Sequence, residues 1–210
     1  MTSFFTHRGT HVEMKAHPQW GMTCYMDGEI QSCEFDEAVY HEGLVHPILH
    51  CIQPKRVLIV GGGEGATARE VLRSPNVQWV DMIEWDRDVL ALFQLHYRQW
   101  AKGAWEDTRL HLCAEDILEV LRDPPIEPYD VILVDLFDPT SETLSTYHHI
   151  LTTLTTTWLT PRGGLVAYAG MKGTLSVSMD QPTGWSQYEV EVPSFGGSCC
   201  FLWYSSRIIV

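Results

Sequence analysis

No stretch of this 210-residue chain stays apolar for anything near the ~18 residues that a membrane-spanning helix needs. Residues 1–10 hold Phe4 and Phe5 but no apolar core of the kind a secretory signal carries, so a cytoplasmic location is expected. Basic residues are also scarce: 14 Lys and Arg face 27 Asp and Glu, for a formal net charge of −13. Without clustered Lys and Arg a phosphate backbone cannot be neutralised, which argues against a nucleic-acid partner. A cationic small molecule fits the charge better, although an acidic surface that serves solubility alone would look the same. Repeats and low-complexity tracts are lacking. So are paired-cysteine motifs: Cys24, Cys33, Cys51, Cys113, Cys199 and Cys200 form no Cys-x-x-Cys and fall mostly in apolar stretches, which reads as reduced core residues. His7 with His11 and His46 with His50 share the i, i+4 spacing of helical metal ligands. The first pair sits in a start with no regular pattern, the second brackets Pro47, and neither has a neighbouring Glu or cysteine half-site, so no metal site is assigned.

What is present is regular from residue 56 onward. Val57-Leu58-Ile59-Val60 is a short apolar, β-branched run that predicts a buried parallel strand, closed by Gly61, Gly62 and Gly63. Helical spacing follows over 66–73, and a second strand is predicted over 77–83, completing a βαβ unit. The alternation continues with helices at 88–100, 117–122 and 141–159 and strands at 109–112, 130–134 and 164–169. Strands over 187–192 and 199–204, joined by Pro193-Ser194-Phe195-Gly196-Gly197, predict a terminal antiparallel pair, in which the adjacent Cys199 and Cys200 point to opposite faces. The expected fold is α/β: a Rossmann-like, seven-stranded, mostly parallel sheet covered on both faces.

The first fifty residues differ. Period-two patterning over 10–33 around Asp27-Gly28 predicts a small β-hairpin element. Helical spacing follows over 36–51, with a break expected at Pro47. The chain therefore divides into residues 1–52, hairpin element and helix, and residues 53–210, the sheet domain.

The glycine turn Gly61-Gly62-Gly63-Glu64-Gly65 lies between a strand and a helix, where absent side chains let a ligand approach the backbone and the helix N-terminus. Glycine turns also serve tight packing alone. Glu84 ends the second strand about twenty residues on, where an acid accepts both hydroxyls of a ribose. Glu115 and Asp116 follow the third strand, and Asp135-Leu136-Phe137-Asp138-Pro139 follows the fourth. Ligands of open α/β sheets bind outside the carboxyl ends of the strands, so Glu64, Glu84, Asp116, Asp135 and Asp138 should converge on one crevice, although Asp116 and Asp138 read equally well as helix caps. Scattered aromatic and sulfur residues, Trp85, Trp100, Trp105 and Met171, could line a sulfonium but fit core or rim positions better.

In its ordered set of motifs the chain resembles the polyamine aminopropyltransferases, the family of spermidine synthase. The motifs are Asp27-Gly28-Glu29-Ile30-Gln31, Asp36-Glu37-Ala38-Val39-Tyr40-His41-Glu42, the glycine run ending in Glu64-Gly65, Glu84-Trp85-Asp86, and residues 135–139. The resemblance implies decarboxylated S-adenosylmethionine as co-substrate, with no metal. Gly61 to Gly65 and Glu115 would surround it, Glu84 would hold the ribose, Asp116 the adenine amine, and Gln31 would lie near the donor. Glu64 stands where the family has Asp against the donor's ammonium. By the same resemblance Asp135 takes a proton from the attacking amine, Tyr40 orients it, and Asp138 grips the amine. Tyr168 replaces a glutamine common on the fifth strand, Phe195 replaces a substrate-facing tyrosine, and Leu136 and Phe137 replace small polar residues, so the amine pocket is more apolar. The segment 171–187 is short for the helix the family places there. A homodimer is implied, and neither nucleic acid nor membrane. A methyltransferase using intact S-adenosylmethionine, a nucleoside-binding pseudoenzyme and a dinucleotide oxidoreductase remain as alternatives on the same fold.

Overall fold

The computed structural model describes residues 2–174 and 184–206. The N-terminal region is a four-stranded antiparallel sheet in the order β1 (Thr2–Phe5), β2 (His11–His17), β3 (Gly21–Met26), β4 (Glu29–Cys33). It is larger than the expected hairpin, and the stretch holding His7 and His11 is ordered, because β1 pairs with β2 from Thr2 to Phe5. Asp27 and Gly28, at φ 51° and 89°, form the turn between β3 and β4 that the Asp-Gly signal predicts. The apolar face of this sheet, Val12, Met14 and Cys24, packs on Val89, Leu92, Phe93 and Trp100.

Helix α1 (Glu37–Ile52) runs through Pro47 without the expected break. Proline costs a helix one N–H and leaves the carbonyl four residues earlier without its partner. Here that carbonyl, on Gly43, accepts the Tyr188 hydroxyl at 2.8 Å. Gly43 also lets the strand come close, since a Cβ there would lie 2.8 Å from Val190 Cγ2.

The second sheet has seven strands: β5 (Arg56–Gly61), β6 (Trp79–Ile83), β7 (Leu110–Cys113), β8 (Tyr129–Asp135), β9 (Leu159–Met171), β10 (Trp185–Val192) and β11 (Gly197–Ser205), in the order β10-β11-β9-β8-β5-β6-β7. β5 to β9 are parallel to their neighbours, and β11 joins β9 and β10 antiparallel. Successive residues of β5 alternate between two cores. Val57 and Ile59 face α1 and α2 (Ala66–Leu72), while Leu58 and Val60 face the side of α4 (Ile117–Val120) and α5 (Leu144–Thr153). The adjacent cysteines divide the same way, Cys199 into the first core and Cys200 into the second. Cys51 is exposed and Cys113 half-buried, so the reading of all six cysteines as core residues holds only in part.

Helices α3 (Arg87–Leu95) and α5 end several residues before the ranges their periodicity predicts. Trp100 lies beyond the end of α3, its indole N–H donating to Ser32 Oγ at 2.8 Å. Helix α5 gives way to a π-helical turn, Leu154–Trp158, where Thr155 and Thr156 hydroxyls bond back to the carbonyls of Leu151 and Thr152 at 2.8 and 2.7 Å. Such back-bonding competes with the helix ladder. From β5 the chain builds outward to β7, then crosses back to β8 on the other side of β5. The carboxyl ends of β5 and β8 therefore border the crevice where open sheets bind ligands.

Candidate active site

At this crevice the backbone itself dictates residue type. Gly61, Gly62 and Gly65 hold φ of 88°, 75° and 82°, a region that favours glycine. A Cβ on Gly61 would lie 2.0 Å from the Asp135 carbonyl, and one on Gly63 would lie 2.9 Å from Glu84 Oε2. The turn is thus wedged between the ends of β8 and β6. Glu84 is buried and accepts the Asp86 backbone N–H at 2.9 Å. Burial foremost, and the charge of Asp86, push its carboxyl up to about 7 against the opposing pull of backbone N–H groups.

Asp135, at the end of β8, has both oxygens engaged. Tyr40 donates to Oδ1 and Thr67, in the first turn of α2, to Oδ2, each at 2.7 Å. Burial, then the Asp135 charge, raise the Tyr40 phenol well above its ordinary range, so it stays a donor. Beside it His41 Nε2 lies 2.6 Å from Glu64 Oε1 and 4.0 Å from Asp135 Oδ2, while its Nδ1 meets the Glu37 carbonyl oxygen at 2.6 Å. Burial alone would lower the imidazole's pKa, but Glu64, Glu37 and Asp135 together raise it to about 10. His41 is therefore an imidazolium among three carboxylates. Glu37 is in turn clamped by Arg69 at 2.8 and 3.0 Å, which with His41 holds its carboxyl down to about 2 in spite of burial. Sequence reasoning assigned no role to His41, Thr67 or this Glu37–Arg69 pair. The four-residue spacing of Glu37 and His41 on one helix was the available signal.

Among the other expected site residues, Asp138 accepts the Tyr168 hydroxyl at 2.5 Å, and the Tyr168 carbonyl accepts the Tyr147 hydroxyl at 2.5 Å. Phe195 packs its ring 5.9 Å from Tyr40. It is placed there by Asp36, whose carboxylate binds Ser194 N and Oγ at 2.7 Å each. Gln31 is the extra, exposed residue of a bulge in β4, with Ser32 opposite Cys24 and Ile30 opposite Tyr25. Asp116 caps α4, accepting Leu118 N at 2.9 Å, and Glu115 is exposed beside it. The five acids do not form one contact network. His41 joins Glu64 and Asp135, Glu84 lies behind Gly63, and Asp116 and Asp138 flank them at the ends of β7 and β8.

The aromatic candidates take ordinary positions. Trp100 is core, Trp105 packs on Gly65, and Trp85 is exposed under Arg8 at 4.7 Å. The spaced histidines take separate partners: His46 binds Glu70, His50 the His46 carbonyl, and His11 binds Ser3. His7 pairs with Asp88 at 2.9 Å and lies 3.6 Å from Asp86, which fastens the turn after β1 to α3. Most of the short segment 171–187 lies outside the described residues.

A glycine turn at the switch point of a doubly wound sheet, with an acid behind it and a hydrogen-bonded carboxylate beside it, places the chain among the Rossmann-like proteins with a ligand crevice at the strand ends. Within that class, the spermine/spermidine synthase domain matches residues 37–174, and the chain belongs to this family. A polyamine aminopropyltransferase of Saccharolobus solfataricus is 40% identical over 137 residues, covering 64% of this chain and 45% of that protein. Polyamine aminopropyltransferase 2 of Pseudomonas aeruginosa is 40% identical over 193 residues, 84% of this chain and 54% of the relative. The chain thus spans about half the length of these curated relatives. The crystal structure of spermidine synthase from Thermotoga maritima superposes with a TM-score of 0.85 at 23% identity, over 99% of this chain and 72% of that one. A spermidine synthase in complex with the transition-state analogue AdoDATO gives 0.86 at 23% identity, over 99% and 74%. At that identity the likeness establishes the fold.

Proposed function

We propose that the chain transfers an aminopropyl group from decarboxylated S-adenosylmethionine to an amine such as putrescine or another polyamine, releasing methylthioadenosine. The observation that carries this reading is Asp135, oriented by Tyr40 and Thr67 and separated from the nucleoside turn only by the close approach of Gly61. A free alkylamine has a pKa of about 10.4, so at neutral pH the acceptor arrives protonated. In the proposed reaction Asp135 binds the ammonium and accepts its proton, and Tyr40 aligns the nitrogen. The freed lone pair forms the C–N bond to the carbon beside the sulfonium, and the C–S electrons leave with the thioether. Glu84 would take the ribose hydroxyls, Asp116 the adenine amine, and the turn 61–65 with Glu115 would surround the nucleoside. Glu64 would face the donor's ammonium, with Gln31 nearby. Asp138, Tyr168 and Phe195 would line the acceptor.

One contact favours a second reading. The His41 imidazolium already pairs with Glu64, which weakens the repulsion that would exclude the carboxylate of intact S-adenosylmethionine, the donor of a methyltransferase. Incubating the protein with each sulfonium donor and a panel of amines separates the two. Methylthioadenosine together with an aminopropylated amine supports the transfer proposed, S-adenosylhomocysteine supports methyl transfer, and nucleoside binding without either product supports a pseudoenzyme. A homodimer in the cytoplasm belongs to the same proposal, with sedimentation as the check on assembly. Among the described residues no helix is long and apolar enough to cross a membrane.

A further inference from the structure

Glu64 and Asp135, the carboxylates nearest the glycine turn, already share one buried positive group. His41 Nε2 lies 2.6 Å from Glu64 Oε1 and 4.0 Å from Asp135 Oδ2, and its side chain is 3% exposed. Glu64 pairs with His41 alone among the described residues. The imidazole has no room to turn away. Its Nδ1 meets the Glu37 carbonyl oxygen at 2.6 Å and Glu37 Oε2 at 3.3 Å, and the Tyr40 ring packs crosswise on it, 5.0 Å between centroids. Glu37 cannot yield either, because Arg69 grips both its oxygens and is itself held by Glu70 at 2.7 Å. A ring fixed at both nitrogens can answer a second cation in one way, by losing a proton.

We propose that a donor cation binding at Glu64 takes the place of the His41 proton: Nε2 gives its hydrogen up to solvent, and the neutral imidazole accepts an N–H from the incoming ammonium. Nδ1 keeps its hydrogen, donated to Glu37, so the ring does not move. The inference rests on the aminopropyl-transfer reading for the ammonium that reaches Glu64, and it adds to that reading a proton exchanged on binding, before any chemistry. The charged groups facing the ring are Glu37 on α1, Glu64 in the turn before α2 and Asp135 at the end of β8, while Arg69 reaches it only through Glu37. Against the opposing effect of burial, the three acids hold the imidazole at about 10 in the free protein. An ammonium sharing Glu64 would lie roughly 4 Å from it, and at an effective dielectric of about 20 that repulsion shifts a proton equilibrium about a thousandfold. The ring then titrates near neutrality and is mostly neutral at pH 8.

The test compares decarboxylated S-adenosylmethionine with methylthioadenosine, which share the nucleoside and differ in the aminopropyl cation. Each is titrated into the full chain at pH 8 with no amine present, by calorimetry in two buffers of different ionisation enthalpy, which counts protons released. A proton exchanged through Glu84 is common to both ligands and cancels in the difference. The sulfonium is expected to release about one proton more than methylthioadenosine. Nitrogen NMR on histidine-labelled protein names the source: His41, assigned by the signal lost in His41→Gln, should be an imidazolium in the free protein and with methylthioadenosine, and neutral with the sulfonium. In His41→Gln the extra proton should vanish. Equal release by both ligands, or an extra proton while His41 stays an imidazolium, would overturn the proposal, as would a neutral His41 in the free protein. Failure of the sulfonium to bind would overturn the aminopropyl-transfer reading and this inference together, whereas binding without the extra proton overturns the inference alone.

Discussion

At the scale of single residues the site is governed by which protons stay and which leave. Asp135→Asn keeps the shape but removes the proposed base, so the rate of product formation should fall by about 10²–10⁴-fold while nucleoside affinity changes little. Rapid-quench product analysis and calorimetry read the two quantities apart, and near-normal turnover in this variant would remove Asp135 as base. Glu84 titrates at about 7 because burial penalises its charged form. Ribose hydroxyls are donors and bind the carboxylate best, so methylthioadenosine should bind more tightly as pH rises from about 6 to 8. Glu84→Ala should abolish that slope and cost on the order of 1–3 kcal/mol of affinity at pH 8. A pH-independent affinity in the unmodified protein would mean that Glu84 does not touch the ribose.

Among the elements, the parallel strands were the most legible part of the sequence, because β-branched runs such as Val57–Val60 buried on both faces have few other readings. The glycine turn, Glu84 and the residues after β8 were legible for the same reason, since their places follow from strand ends. What could not be read were effects that depend on distant partners. Pro47 predicts a break by local rules, and only Tyr188, more than a hundred residues away, supplies the missing hydrogen bond. Tyr188→Phe should therefore cost about 1 kcal/mol of stability, seen as a lower denaturation midpoint with unchanged slope, and an unaltered midpoint would show the Gly43 carbonyl needs no such partner. The Trp100 indole beyond α3 likewise finds its partner far off in sequence, in Ser32 of the N-terminal sheet. His41 was hidden because its meaning lies in Glu64 and Asp135, neither adjacent in sequence.

For the whole molecule, we propose that residues 1–52 and 53–210 are two parts that share one core, since α1 buries Tyr40, Leu44, Val45, Ile48 and Leu49 against the seven-stranded sheet. Stability should also carry a pH signature. His41, raised from 6.5 to about 10, contributes fully below pH 6.5, and that contribution drains away as pH climbs through 10. Glu84, raised from 4.5 to about 7, costs stability as it ionises across that interval, whereas Glu37, lowered to about 2, adds stability that is lost only in stronger acid. The melting temperature should therefore peak near pH 4.5 and fall toward pH 10, first as Glu84 ionises and then as His41 loses its proton, with a shallower alkaline fall in His41→Gln. A melting temperature that rises from pH 6 to 9 would show that His41 is neutral when folded. The close approach of Gly61 to the Asp135 carbonyl bears on the coupling of ligands as well as on fit. Under the proposed function one thickness of backbone would stand between nucleoside and amine, so occupancy on one side should be felt on the other. By reciprocity, whatever factor the nucleoside imposes on amine affinity the amine should impose on the nucleoside, a coupling that calorimetry with each ligand in the presence of the other would read.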